Sequence, residues 1–275
     1  MDEIRSCRER LEAVGGEGEV RLDTSGPVLR LVLDNPGARN ALSGRMLGQL
    51  DDAVAALEAL VQDPTCPAVG LLVRGEGTAS FCAGADLRLV RQQVGRPEMA
   101  DALSRFGHHL TERIRCLPLI SVAVIEGAAI GGGAELATAC DLRVMGEGAI
   151  LRFVQAKLGL VPGWAGGVRL VDLVGRRQAL SLLGTARGLS AAEAVDIGIA
   201  DATGPDGEAE DAARRLLEPY LANPAVSVRA AKQLVANAEG LPRAQAMAQE
   251  RALFGALWGG PANRAALARS RSGRR

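Results

Sequence analysis

The sequence lacks a net charge. Its 32 Lys and Arg residues balance 32 Asp and Glu residues, so no long-range field is available to recruit nucleic acid or an anionic membrane. The only basic cluster consists of four C-terminal arginines, Arg269, Arg271, Arg274 and Arg275. Because no aromatic residues interleave with them to stack on bases, we expect a frayed, solvated tail and no nucleic-acid partner.

A long hydrophobic run is absent as well. The most apolar stretch, residues 117–139, is interrupted by Ser121, Glu126 and a run of glycines, which makes it too polar to span a bilayer. The first residues, MDEIRSCRERLEAV, lack the apolar segment of a signal peptide, and their acidic residues argue against a transit peptide. These absences predict a cytoplasmic protein with no membrane partner.

Paired cysteines and clustered histidines are also missing. The five cysteines are odd in number and scattered, with no CxxC pair, which is typical of a reduced intracellular compartment. His108 and His109 are adjacent but have no partners at metal-ligand spacing, so we expect them on a helix surface and expect no metal. The phosphate-binding GxxxxGK, the zinc-binding HExxH and the nucleophilic GxSxG motifs do not occur.

What is present is the pattern of a globular α/β protein. Apolar residues make up 48% of the chain and charged residues 23%, which is enough to build a large core. Residues 19–33 alternate as a hairpin would, and Ser43 is placed to open a helix over residues 46–60. Buried strands at residues 68–74 and 119–127 flank a helix predicted over 98–115, so crossover connections are expected.

The pattern changes along the chain. After about residue 176 every predicted element is a helix, with segments at 207–222, 227–238 and 242–258. We therefore predict an α/β core over residues 1–200 and a helical C-terminal region over residues 201–275.

Two loops carry the features that chemistry needs. One is Ser80-Phe81-Cys82-Ala83-Gly84-Ala85-Asp86-Leu87, and the other runs over residues 126–135 and contains three consecutive glycines at a helix start. Such glycines leave the first N–H groups of the helix unpaired and approachable by an oxyanion. A second N–H from the other loop would complete an oxyanion hole, although glycines can also serve close helix–strand packing.

Four motifs in this order resemble the crotonase (enoyl-CoA hydratase/isomerase) superfamily: NPGARNALS, FCAGADL, VIEGAAIGGGAEL and LGLVPGWAGGVRL. The resemblance implies a spiral of ββα turns with a helical C-terminal part that serves trimerisation or covers the site. It also implies an acyl-CoA thioester substrate and a homotrimer or hexamer. It places the oxyanion-hole N–H groups on Ala85 and Gly132, and a contact to the adenine of CoA on the backbone around Ala83.

The resemblance also singles out a departure at a catalytic position. Glu135 stands where hydratases keep the first of two catalytic carboxylates. Counting residues forward from Glu135, and back from Gly159 and Pro162, places Gln155 at the second carboxylate position. Hydration uses two carboxylates on one water, and isomerisation uses a base at the second position. Glutamine is neutral and cannot take up a proton at neutral pH, so the base expected for either reaction is missing.

Residues 151–180 and 250–263 resemble the ethylmalonyl-CoA decarboxylase branch of the superfamily, which removes CO2 from ethyl- and methylmalonyl-CoA. Loss of CO2 produces a thioester enolate without a base, and it requires an oriented, desolvated carboxylate. We therefore predict such a lyase, with Gln155 and Trp164 in the substrate pocket, although Trp164 could equally fill the core. Glu135 either delivers the proton to the enolate or is a helix N-terminal carboxylate without a catalytic role.

Two alternatives remain from the sequence. One is an enoyl-CoA hydratase or isomerase with a non-standard catalytic set, and the other is a non-catalytic acyl-CoA-binding subunit. No metal or organic cofactor is expected in the decarboxylation, because coenzyme A arrives as part of the substrate.

Overall fold

The computed structural model describes residues 2–93 and 95–272. Ten strands form two sheets. In chain order they are β1 (Glu19–Asp23), β2 (Val28–Asp34), β3 (Gly70–Gly75), β4 (Ser80–Cys82), β5 (Ile120–Ile125), β6 (Ala128–Ile130), β7 (Leu142–Gly146), β8 (Ile150–Arg152), β9 (Leu189–Ser190) and β10 (Ala202–Gly204).

Helices connect and flank the strands. They are α1 (Asp2–Glu12), α2 (Gly44–Leu60), α3 (Leu87–Gln93), α4 (Pro97–Cys116), α5 (Gly132–Ala137), α6 (Gly166–Thr185), α7 (Ala191–Asp196), α8 (Ala209–Leu221), α9 (Ala225–Gly240), α10 (Arg243–Leu257) and α11 (Pro261–Ser272). Short 3-10 helices lie at Pro36–Ala38 and Gln155–Leu158. No helix of the described residues is both long and apolar enough to cross a membrane.

The chain alternates between the two sheets. The larger sheet has the order β1-β2-β3-β5-β7-β10, and the smaller sheet has the order β4-β6-β8-β9. After the antiparallel β1–β2 hairpin, every neighbouring pair in the larger sheet is parallel. Each of β3, β5 and β7 is followed by a strand of the smaller sheet, and this confirms the predicted spiral of ββα turns. The prediction that only helices follow residue 176 is wrong, because the short strands β9 and β10 extend the two sheets by pairing with β8 and β7.

The hydrophobic pattern explains the positions of the strands. In β2 every second residue is buried, whereas all six residues of β5 are buried, because helices cover both faces of the central parallel strands. One face contributes to the main core, and α8 packs on the other face against Leu72, Val122 and Val124. The predicted hairpin is confirmed, as is the Ser43 cap, whose hydroxyl accepts a hydrogen bond from the N–H of Met46 at 3.2 Å.

The C-terminal arginines differ from the prediction. The chain from Pro261 to Ser272 is helical, so the frayed tail expected from Arg269 onward is wrong for the described residues, and Arg274 and Arg275 lie outside them. Proline suits the first turn of a helix, and the stretch at residues 265–268 has high helix propensity. The turn before the helix is fixed by Asn263, whose side chain accepts a hydrogen bond from the N–H of Gly259 at 3.0 Å.

Candidate active site

The two glycine-containing loops meet at one edge of the smaller sheet. They follow β4 and β6, which are parallel neighbours, so both leave the sheet at the same end. Leu42 donates its N–H to the carbonyl of Gly84 at 2.8 Å and accepts from the N–H of Asp86 at 2.9 Å. Because backbone groups alternate in direction along an extended chain, these bonds turn the N–H of the intervening Ala85 away from Leu42.

The second N–H comes from Gly132. A side-chain carbon added to Gly84 would lie 2.8 Å from the Gly132 nitrogen, so the loops are in direct contact. Gly131 turns the chain with φ +56° and donates its own N–H to the carbonyl of Arg152 at 2.8 Å. Within the described chain, neither Ala85 nor Gly132 donates its N–H to an acceptor. The structure thus brings the two predicted oxyanion donors to one place.

Trp164 forms a wall beside this pair of amides. Its side chain is buried, and the six-membered ring lies against Gly132, where an added side-chain carbon would sit 2.7 Å from the ring. The opposite side of the indole contacts Gly107 of α4, where an added carbon would overlap the ring. The two interpretations of Trp164 are therefore compatible, because a core-buried indole also lines the candidate oxyanion hole.

The Glu135 carboxylate is surrounded by hydrogen-bond donors. Oε1 accepts from the Gln155 side-chain amide at 2.8 Å and from the Gly163 N–H at 3.2 Å. Oε2 accepts from the N–H groups of Trp164 at 2.7 Å and Gly166 at 3.0 Å. A carboxylate has about four acceptor positions, so this environment leaves none for a substrate or a water molecule.

The backbone of the 163–166 loop is shaped for this contact. Ala165 has φ +61°, a left-handed conformation that costs an alanine roughly 1–2 kcal/mol. The turn directs the N–H groups on both sides of Ala165, those of Trp164 and Gly166, at the same carboxylate oxygen. Glu135 therefore fixes the loop that carries Trp164.

Gln155 lies beside Glu135, as the sequence register predicts. The residue is 8% exposed and belongs to the 3-10 helix that follows β8. Its Nε2 must face Glu135, since a carboxylate can only accept, and the other end of the amide is thereby fixed as Oε1. That buried oxygen has no donor among the described residues.

Arg169 is a member of the site that the sequence reasoning missed. It is buried, and its Nη2 donates to the backbone carbonyls of Glu135 at 2.9 Å and Trp164 at 2.6 Å. Burial lowers the pKa of Arg169, and the nearby carboxylates of Glu112 and Glu135 oppose the change. A signal existed, because Arg169 is a charged residue inside an otherwise apolar motif.

Cys82 lies under the site but is not placed as a nucleophile. Burial raises the pKa of its thiol to about 12, so the thiol stays protonated at neutral pH. The Gly84 N–H donates to its sulfur at 3.3 Å. Gly133 packs so closely on the carbonyl and side chain of Cys82 that a larger residue there would overlap them. Cys82 is therefore fully buried, with the start of α5 packed on its carbonyl and Cβ.

Two further residues lie outside this cluster. Ala83, half-buried after β4, donates its N–H to the carbonyl of Arg39 at 3.1 Å, and its contact with adenine stays a prediction. Trp258 is 71% exposed and packs on Phe254 with a ring separation of 5.2 Å. It belongs to the C-terminal helices and makes none of the contacts described above.

Comparisons with known proteins agree with this geometry. Residues 23–261 match the family described as enoyl-CoA hydratase/isomerase. The chain is similar to ethylmalonyl-CoA decarboxylase of Danio rerio, with 38% identity over 95% of this chain and 86% of the relative. For the Rattus norvegicus protein of the same name the identity is 41%, over 87% of this chain and 79% of the relative. A Thermobifida fusca protein solved in complex with CoA has 32% identity and a TM-score of 0.74, covering 90% and 95% of the two chains.

Proposed function

The chain belongs to the enoyl-CoA hydratase/isomerase family, and on that premise we propose that it decarboxylates alkylmalonyl-CoA thioesters, ethylmalonyl-CoA and methylmalonyl-CoA in particular. The relatives named ethylmalonyl-CoA decarboxylase support the choice of substrate. Coenzyme A is part of the substrate, and the proposed reaction requires no metal or further cofactor.

One observation carries the proposal. The candidate site holds two unpaired backbone N–H groups, but neither of its two catalytic positions offers a free base. Gln155 is neutral, and the Glu135 carboxylate is occupied by four donors. Hydration and isomerisation require proton transfer to or from such a base. Loss of CO2 generates the same kind of enolate without one.

The two amides supply the stabilisation that this reaction requires. As the bond between the α-carbon and the carboxylate breaks, its electron pair moves into the thioester and places negative charge on the thioester oxygen. The N–H groups of Ala85 and Gly132 bind that oxygen, and one such donor commonly contributes ~3–4 kcal/mol. Trp164 excludes water from one side, which favours loss of the carboxylate charge.

In this proposal Glu135 is a positioning residue. Its carboxylate accepts hydrogen bonds from the N–H groups of the loop that carries Trp164. Arg169 donates to the backbone carbonyls of Glu135 and Trp164. A proton-donating role for Glu135, expected as one possibility from the sequence, would require it to give up one of these hydrogen bonds.

The test is a substrate panel of methylmalonyl-, ethylmalonyl- and crotonyl-CoA with mass-spectrometric detection of the products. We expect CO2 loss from the two malonyl thioesters and little hydration of crotonyl-CoA. Gln155→Glu is expected to slow CO2 loss several-fold, because a second negative charge near the substrate carboxylate costs ~1 kcal/mol or more. Since Gln155 also donates to Glu135, the melting temperature of the variant is measured beside its activity. Hydration of crotonyl-CoA without CO2 loss would favour the hydratase alternative.

We also propose a homotrimer or a hexamer, assembled through the C-terminal helices. No residue of α10 is buried, and Phe254 and Trp258 are 63% and 71% exposed. They border an apolar cavity of about 1250 Å3 between α8, α9 and α11. Apolar surface of this extent on a single chain usually marks an interface. A monomeric mass by light scattering at micromolar concentration would contradict the proposal.

A cytoplasmic location completes the proposal. The five cysteines are all free, and four of them are buried, as is usual in a reducing compartment. Fractionation of cells with an antibody against the protein would test the location.

A further inference from the structure

The enolate left by CO2 loss must gain a proton, and the residues described so far do not supply one. All acceptor positions of the Glu135 carboxylate are used by donors. Cys82 is fully buried, and its sulfur accepts a hydrogen bond from the Gly84 N–H. The proton therefore has to come from a molecule that binds in the site, and the site must hold that molecule in place.

Gln155 provides the position for such a molecule. Its Nε2 is fixed on Glu135 at 2.8 Å, so Oε1 points to the other side of the amide. The side chain is more than nine-tenths buried, and Oε1 has no donor within the described chain. A buried acceptor left without a partner costs ~1–3 kcal/mol. A donor from outside the chain is therefore expected to occupy this position.

The segment that carries Gln155 runs beside the glycine loop that carries one of the oxyanion donors. Strands β6 and β8 are parallel neighbours, and residues 154 and 155 continue from β8 as the glycine loop continues from β6. A side-chain carbon added to Gly131 would lie 3.3 Å from Val154 Cγ1. The segment that carries Gln155 thus contacts the residue that directly precedes the Gly132 amide.

The chemistry of the reactants selects water as the donor. The substrate carboxylate presents only lone pairs and is repelled by a carbonyl oxygen, and the alkyl group has no hydrogen to donate to it. A water molecule can donate one hydrogen to Gln155 Oε1 and keep the second hydrogen for another partner. Resting on the proposed decarboxylation, we propose that Gln155 holds through Oε1 the water molecule that protonates the α-carbon of the enolate.

The step balances with a solvent proton as the only further reactant. The α-carbon uses the electron pair left by CO2 to form a bond to the water hydrogen, and the O–H bond breaks with its pair staying on oxygen. The hydroxide that results takes up a proton from the solvent, and CO2 leaves the site as the second product. The overall reaction converts the alkylmalonyl thioester and one proton into the acyl thioester and CO2.

The stereochemistry of protonation tests the role of Gln155. In D2O the wild-type enzyme should give acyl-CoA with one deuterium at the α-carbon and a single configuration, because the water is held on one face. Gln155→Met removes both Oε1 and the Nε2 hydrogen bond to Glu135, so its melting temperature is measured beside its products. It should give both configurations, with turnover reduced at least tenfold. The matched control is Gln62→Met at an exposed glutamine after α2, which should retain one configuration. NMR of a chiral derivative of the product distinguishes the configurations.

A second readout needs no variant. A high-resolution crystal structure of the wild-type protein should show a water molecule within hydrogen-bond distance of Gln155 Oε1. An Oε1 without a water partner would overturn the inference, and so would a single configuration at the wild-type rate for Gln155→Met. Failure of the wild-type enzyme to release CO2 would instead overturn the proposed function, while the crystal structure would still decide whether the water site exists.

Discussion

Replacing Glu135 by glutamine separates a positioning role from a proton-donating role. The wild-type carboxylate accepts four hydrogen bonds, two on each oxygen. In Glu135→Gln one of those oxygens becomes an NH2 group, which can only donate. The two N–H donors that bind this oxygen in the wild type would then face another donor.

The cost follows from which contacts can adjust. If the new NH2 group replaces Oε1, Gln155 can rotate its amide and offer its unpaired Oε1 to it. The Gly163 N–H, 3.2 Å from Oε1 in the wild type, cannot adjust in that way because it belongs to the backbone. One part-buried donor is left without an acceptor, at a cost of up to ~1–3 kcal/mol. For a chain of this size the melting temperature should fall by roughly 2–10 °C.

The assay combines thermal unfolding with steady-state CO2 release over a range of pH. We expect the lower melting temperature together with a fall in kcat/KM of up to about 100-fold. A loosened Trp164 misplaces the wall of the site, and a rotated Gln155 amide no longer presents Oε1 to the proposed water. The dependence of kcat/KM on pH should keep the shape that it has in the wild type. The matched control, Glu147→Gln, changes an exposed carboxylate in the turn after β7 and should alter neither quantity. An unchanged melting temperature with activity reduced more than 1000-fold would refute the reasoning, because it would identify Glu135 as a proton donor.

Three further predictions concern the amide, the thiols and high pH. The turnover of Gly132→Pro should be at least about 100-fold lower than that of Gly132→Ala. Both variants disturb Trp164, but only proline removes the N–H. Equal turnover of the two variants would contradict the oxyanion role. At neutral pH a thiol reagent should label one cysteine per chain rapidly, the exposed Cys116, and five after unfolding; several rapidly labelled thiols in the native protein would contradict the burial. The pKa values of Cys82 and Cys140 are raised by burial from 9.0 to about 12, so the folded state holds these protons more tightly. The free energy of unfolding in urea should therefore fall as the pH rises from 9 toward 12, and a constant value over that range would contradict it.

The positions of Ala85, Gly132 and Gln155 are predicted from the motifs that carry the family resemblance, and the structure brings them together because each position depends on local order in the chain. Ala85 and Gly132 follow parallel neighbouring strands, and their positions are set by the spacing of motifs around those strands. Gln155 lies twenty residues after Glu135, and the parallel pairing of β6 with β8 preserves that register. The Ser43 cap follows equally from one side chain and the helix next to it.

The surroundings of Glu135 could not be predicted in the same way. Three of its four donors are backbone N–H groups at residues 163–166, and their direction depends on the left-handed conformation of Ala165. Alanine carries no sequence signal for that conformation. Arg169 was missed for a related reason, since the carbonyls of Glu135 and Trp164 to which it donates are brought close to it only by the fold.

The comparison of two activities at the same enzyme concentration tests the central claim most directly. Ethylmalonyl-CoA labelled with 13C in its free carboxylate and crotonyl-CoA are each turned over by the wild-type protein, and kcat/KM is measured for label release and for hydration. If the site forms its enolate by losing CO2, kcat/KM for label release should be at least 100-fold higher than kcat/KM for hydration. The reason is that the hydration water lacks its second acid–base partner. Efficient hydration of crotonyl-CoA with the 13C label retained in the thioester would contradict the account.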